Sequence, residues 1–322
     1  MALLSLVLVS ATLAAPPQLD WPDFRGPNRD GHAPVSANVP LEWSEKKNVA
    51  WKTELPGEGW STPIVGGGRI WVTAATEEGR KMHVLALDAS SGEIVHEVLL
   101  FENEEPEPKN KLNSFASPSC VLDESRVYAH FGSYGTASLD VETGEVLWKR
   151  RDVNCDHMQG PGSSPVLWKD RLIINADGGD VQYVIALDSE TGETAWKTDR
   201  SFDFSELEPD LRKAYSTPVL VEVGGKPRLI SSGAQATVAY DPKTGEELWS
   251  VRHKGFSMSS RPVTDGKVVY LNTGFMKPNL LAVDLDGRGD VTDENIRWSY
   301  RGGRHPDGAF WMYRLKFCQR MR

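Results

Sequence analysis

An all-β fold, built by repeating one four-stranded antiparallel unit around a ring, is what the sequence predicts on three observations. One residue pattern recurs five times at intervals of about 50 residues. Within each copy, short runs rich in Val, Ile, Leu and Tyr are bounded by turn residues, as strands require. Helical periodicity is confined to one short amphipathic turn, Phe204, Leu207 and Leu211. A period near 50 holding about four strands is the signature of a β-propeller blade. A ring of blades also houses 322 residues in one domain, where length alone would predict about two.

The elements follow in order. Residues 1–15 form an apolar run ending in small residues, which reads as a secretory signal and predicts export. Pro16-Pro17 ends this run short of the roughly 20 residues a transmembrane anchor needs. Residues 16–47 are an N-terminal extension containing Trp21-Pro22-Asp23-Phe24-Arg25-Gly26-Pro27-Asn28-Arg29-Asp30-Gly31. That segment, rich in aromatic, Arg and Gly residues, is expected to dock against the propeller. Asn48-Val49-Ala50-Trp51-Lys52-Thr53 looks like an outermost strand without its own blade, and it opens the repeat region, residues 48–300.

Five blades are recognisable. The first, about 60–96, holds Ser61-Thr62-Pro63, Ala86-Leu87-Asp88 and Gly92-Glu93, with His96 where Trp is expected. The second, about 115–148, holds Ser117-Pro118, Ser138-Leu139-Asp140, Gly144 and Trp148. The third, about 162–196, holds Ser164-Pro165, Ala186-Leu187-Asp188, Gly192 and Trp196. The fourth, about 215–249, holds Thr217-Pro218, Ala239-Tyr240-Asp241, Gly245 and Trp249. The fifth, about 259–298, holds Arg261-Pro262 and Ala282-Val283-Asp284, then inserts Asp286-Gly287-Arg288-Gly289-Asp290 before Trp298.

These Asp, Gly and Trp positions are read as architectural. Asp ends the third strand and can accept hydrogen bonds from turn amides. Gly supplies the positive φ of a tight hairpin. Trp on the outer strand offers a large flat ring to the neighbouring sheet. Each blade leaves an apolar face that only the next one covers, so blades are stable in series.

After Trp298 neither a Ser-x-Pro strand nor an Ala-x-Asp turn follows, so the ring is expected to be incomplete. Residues 301–322 are instead basic and irregular, with Arg301, Arg304, Arg314, Lys316, Arg320 and Arg322 among Trp311, Tyr313 and Phe317. They read either as a membrane-surface or nucleic-acid tail or as the product of a shifted or prematurely ended reading frame. The abrupt change of composition where a blade is due favours the second.

Net charge of −9 and the lack of a basic stripe over the repeats exclude a nucleic-acid binder. Cys120, Cys155 and Cys318 have no metal-type spacing; free buried thiols are the simple reading, and a Cys120–Cys155 disulfide stays open in an oxidising compartment. Standard catalytic motifs are absent. The candidate chemistry lies in two loops, Asp156–Gly162 with His157 as a base or ligand, and Asn175–Asp180. In the latter, Asp177 and Asp180 across Gly-Gly could hold a hard cation, or simply form an Asp-Gly turn.

At the stretches Ala186 to Trp196 and Ala239 to Trp249, and at Ser138 to Trp148 with Ser for Ala, the chain closely resembles the PQQ-like, quinoprotein-type β-propeller repeat family. Together with Trp21–Gly31 and Gly287–Thr292, the match looks closest to exported propellers of planctomycete-type bacteria. The resemblance implies one of two functions. One is a PQQ-dependent dehydrogenase using pyrroloquinoline quinone with Ca²⁺, or a truncated relative of one. The other is a non-enzymatic scaffold of the cell envelope or periplasm, with an envelope protein or polysaccharide as partner. Five blades, and the lack of the adjacent cysteines common beside the quinone, favour the scaffold.

Overall fold

The computed structural model describes residues 21–33, 37, 39–276 and 278–301. The signal expected at 1–15, the tail beyond Arg301 and Cys318 lie outside the described residues.

Five antiparallel four-stranded sheets follow one another along the chain. The first contains β1 (Ile64–Gly66), β2 (Arg69–Thr76), β3 (Lys81–Asp88) and β4 (Ile94–Glu102). The second contains β5 (Val121–Leu122), β6 (Arg126–His130), β7 (Thr136–Asp140) and β8 (Val146–Arg150). The third contains β9 (Val166–Trp168), β10 (Arg171–Asp177), β11 (Gln182–Asp188) and β12 (Thr194–Asp199). The fourth contains β13 (Val219–Val223), β14 (Lys226–Ser232), β15 (Ala236–Tyr240) and β16 (Glu247–Arg252). The fifth contains β17 (Val263–Thr264), β18 (Val268–Asn272), β19 (Asn279–Asp284) and, after the short β20 (Gly289–Asp290), β21 (Ile296–Arg301). The inserted segment of the fifth repeat is thus not an idle loop: β20 pairs in parallel with β16 and widens the fourth blade.

A bulge falls at the same place between the third and fourth strands of every blade, after Ala86, Ser138, Ala186, Ala239 and Ala282. Each of these small residues sits directly opposite the outer-strand aromatic, respectively His96, Trp148, Trp196, Trp249 and Trp298. A larger side chain would collide with the ring, which accounts for the Ala or Ser of the motif.

The aromatic then reaches the next blade. Trp148 Nε1 donates to Ser189 O at 3.0 Å, Trp196 to Pro242 O at 3.1 Å and Trp249 to Leu285 O at 3.0 Å. His96 makes the equivalent contact to Glu142 O at 3.1 Å, so an imidazole replaces an indole without loss of the link. Beneath the rings lie the turn glycines. A Cβ on Gly192 would stand 2.7 Å from the Trp148 ring, and one on Gly245 2.5 Å from Trp196. Trp51 does the same to blade one, donating to Ala89 O at 3.1 Å and covering Gly92. The segment at 48–53 forms no paired strand, but through Trp51 it makes the contact that an outer-strand ring makes in the other blades.

The core is serial. One apolar cluster joins blades one and two around Trp71, Met82, Phe101, Val127 and Phe131. A second joins blades two and three around Tyr128, Leu172 and Ile185. Others join three to four around Ile173, Trp196 and Tyr240, and four to five around Ile230, Trp249 and Leu281. The far face of blade one is covered by Trp51. Trp298, by contrast, is 45% exposed, and among the described residues no following turn lies under it.

Register in the second blade differs from the sequence expectation. Val121 pairs with Tyr128 as Val166 pairs with Ile173 and Val219 with Ile230. The residue in the proline slot is therefore Cys120, not Pro118, and Ser119 takes the hydroxyl position. Cys120 is fully buried there, and burial pushes its thiol up to about 12. Cys120 and Cys155 are both free and lie in different inter-blade clusters.

Candidate functional site

The inner ends of the blades are joined by a belt of hydroxyls. The Thr62 N–H donates to Ser119 Oγ at 2.8 Å, the Ser119 N–H to Ser164 Oγ at 2.9 Å, and the Ser164 N–H to Thr217 Oγ1 at 2.9 Å. In the fifth blade the same slot carries Arg261, whose Nε donates to Pro218 O at 3.0 Å. Recurrence of Ser or Thr before Pro was visible in the sequence, but its role was not, because each partner belongs to another blade.

Three residues past the belt, the segment from Trp21 to Gly31 runs along the inner strands. Trp21 and Val65 exchange backbone hydrogen bonds at 2.8 and 2.9 Å, and the Leu122 N–H donates to Pro22 O at 2.9 Å. Arg29 reaches Leu167 O at 2.8 Å through Nη2 and Asp23 Oδ2 at 3.0 Å through Nε. Arg261 Nη1 holds the other oxygen of Asp23 at 3.0 Å. Asp23 is buried, and burial lowers the Arg261 guanidinium from its ordinary value, Asp23 opposing this while Arg29 and Arg25 add to it. The extension thus docks on blades one, two, three and five.

This segment and the belt border a funnel of about 1470 Å³. Trp21, Phe24 and Arg25 line it together with Thr62, Ser164 and Thr217. Trp60, Leu112, Phe275 and Met276 line it as well, and each is more than half exposed. Lys213 lies on the same wall, with its Nζ taken by Asp210.

The loop residues singled out for chemistry stand elsewhere. Asp177, at the end of β10, is buried and gripped by Arg200, whose Nη2 donates at 2.7 Å and whose Nε also donates to the carboxylate. Burial raises the Asp177 carboxyl, against the pull of Arg200. Arg200 donates further to Ser231 Oγ at 2.8 Å, and Ser231 donates to Asn175 Oδ1 at 2.9 Å, stitching blade three to blade four. Asp180 accepts the Asp156 N–H at 2.7 Å. As arranged, one carboxylate is committed to Arg200 and the other to a backbone N–H, and no group of three His, Cys, Asp or Glu among the described residues is set to hold a metal ion. They do not fit a shared Ca²⁺.

His157 is buried and accepts the Ser133 N–H at 3.2 Å on Nε2, with Cys155 Sγ 3.6 Å from Nδ1. Burial pulls the imidazole down to about 4, against Asp156 and Asp180, and holds the Cys155 thiol well above its usual value. At neutral pH the pair is a neutral thiol beside a neutral imidazole, not an activated nucleophile. Asp284 and Asp290 are spent on Arg297 and Arg252.

The family described as Outer membrane protein assembly factor BamB matches residues 41–181 and 180–309. The chain belongs to this PQQ-like propeller family. Among curated relatives, a methanol dehydrogenase [cytochrome c] subunit 1 from Methylobacterium organophilum is 28% identical over 217 residues, 60% of this chain and 30% of that protein. Among solved structures, BamB from Moraxella catarrhalis is similar with a TM-score of 0.51 and 19% identity, covering 72% of this chain and 61% of that one. A quinohemoprotein alcohol dehydrogenase from Comamonas testosteroni gives 0.57 at 14% identity, covering 88% and 49%. These likenesses show the propeller fold. The chain spans about a third to three-fifths of the length of these relatives.

Proposed function

We propose that this PQQ-like propeller is an exported, non-enzymatic binding or scaffold module of the cell envelope, whose funnel mouth docks an envelope protein or polysaccharide. One observation carries the reading: four large apolar side chains, Trp60, Leu112, Phe275 and Met276, stand exposed on one funnel. Clustered apolar exposure on a soluble surface marks an interaction site, and flat rings suit both protein and sugar faces. The name of the matching family, an assembly factor for outer membrane proteins, supports an envelope setting. Among the described residues no helix is long and apolar enough to cross a membrane.

The test is capture from envelope extracts with the wild-type chain and a Trp60→Ala, Phe275→Ser double variant. A partner retained by the first and lost by the second is expected; equal retention by both would defeat the assignment to this funnel. A second reading, a PQQ-dependent dehydrogenase or a shortened relative of one, draws on the methanol dehydrogenase likeness. Reconstitution with quinone and Ca²⁺ followed by dye-linked alcohol oxidation separates the two. No turnover is expected, and turnover with a bound-quinone absorbance would replace the scaffold reading.

A further inference from the structure

We infer that the funnel binds a small oxyanion, a carboxylate or phosphate group, through Arg25. The N-terminal segment and blade five bring three guanidinium groups, Arg25, Arg29 and Arg261, around one carboxylate, Asp23. Both oxygens of that carboxylate are taken, Oδ1 by Arg261 and Oδ2 by Arg29, each at 3.0 Å. Arg25 is left over. It is only 9% exposed, lines the funnel, and among the described residues its Nε has no hydrogen-bond partner. Its contact is the Phe24 ring, 5.4 Å from the guanidinium carbon.

A buried guanidinium nitrogen without an acceptor is costly, and no ion pair to Arg25 is found among the described residues. Other cations around the cavity confirm the imbalance. Asp210 neutralises Lys213, while Lys254 adds an exposed positive charge on the same funnel. The planar fork of an arginine matches carboxylate and phosphate oxygens in pairs. The same funnel also offers neutral donors. Ser164 Oγ and Thr217 Oγ1 each accept a neighbouring backbone N–H, which leaves each hydroxyl hydrogen free to donate into the cavity they line. Gly31, at φ +79°, places no Cβ beside Arg25 Nη1, where one would stand at 3.5 Å. An oxyanion at Arg25 completes the charge balance that Asp23 leaves unfinished.

The inference uses the same funnel as the proposed function, but its readout needs neither a partner nor turnover, so the two fail separately. Thermal melting of the whole protein is followed in inorganic phosphate and in citrate at constant ionic strength. Wild type is expected to gain about 5 °C at saturating anion. Arg25→Met should lose that gain and, in anion-free buffer, melt at or above wild type, because the unpaired buried charge is gone. Should that variant not fold, Arg25→Lys keeps the charge but lacks the fork, and at least half of the gain should disappear. A response to phosphate alone assigns a phosphate group, and one to citrate alone a carboxylate. No response to either anion, or an undiminished response in the Arg25 variants, overturns the site.

Discussion

At Gly192 two demands meet that only glycine satisfies. The residue sits at φ +75°, and a Cβ there would lie 2.7 Å from the Trp148 ring of the preceding blade. Gly224 has a similar backbone, φ +57°, but nothing within 4 Å of a Cβ position. Alanine should therefore separate the two effects. Gly224→Ala is expected to cost about 1–2 kcal/mol of backbone strain. Gly192→Ala adds displacement of a half-buried indole, for about 3 kcal/mol in all. The check is the shift in urea midpoint of each variant; equal shifts would mean the indole tolerates the intrusion. The neighbouring aspartates are fixed by similarly local chemistry. Asp88 accepts from the Ser90 hydroxyl at 2.6 Å and from the Ser90 and Ser91 N–H groups at 2.9 Å, which hold its carboxyl down to about 2.

Between elements, the repeated contact is an outer-strand ring laid on the next blade's turn, and its value depends on whether that next blade exists. Trp249 is fully buried between blades four and five, whereas Trp298 is 45% exposed. Trp249→Ala should cost about 3–5 kcal/mol, while Trp298→Ala should cost less than about 1 kcal/mol, as read from denaturant midpoints. A large penalty at Trp298 would point to cover that the described residues do not provide. The positions of these rings, of the turn aspartates and of the glycines were legible in sequence because each is dictated within a dozen residues. Register in blade two was not, because Cys120 fills a slot that proline marks in the other copies. Nor was the fate of Asp177 legible. Its partner Arg200 lies 23 residues on, and the pair faces blade four, so an Asp-Gly-Gly-Asp stretch looked like a cation loop. Arg25 was missed for a related reason: only the docked segment reveals that Asp23 is already shared.

Across the whole molecule, stability should depend on acidity in a definite window. His130, His157 and His253 are held by burial at about 3, 4 and 4, respectively. In the unfolded chain they take up protons near pH 6.5. Between that value and about 4, the unfolded state binds more protons than the folded one, so stability falls as pH drops through this range. The turn aspartates act later, because Asp88 stays ionised in the fold to about 2, and its contribution is lost only below about pH 4. Urea midpoints measured from pH 7 to pH 4 should decline steadily, and a flat profile would show that these imidazoles reach solvent. Loss of stability on this scale would fall on two places, since His130 and His157 lie close together at blade two and His253 follows blade four.

The pairing of Asp23 with Arg261 spans 238 residues of chain. Blades one to four can each collapse on their predecessor while the chain is still growing, because their contacts are with the adjacent repeat. Asp23 meets Arg29 locally through Oδ2, and Trp21 and Pro22 can settle on blades one and two as these form, but Oδ1 waits for Arg261, which arrives only with the fifth repeat. One ion pair thus ties the first described segment to the fifth repeat, and Asp23 is shared between two arginines only once that repeat is in place.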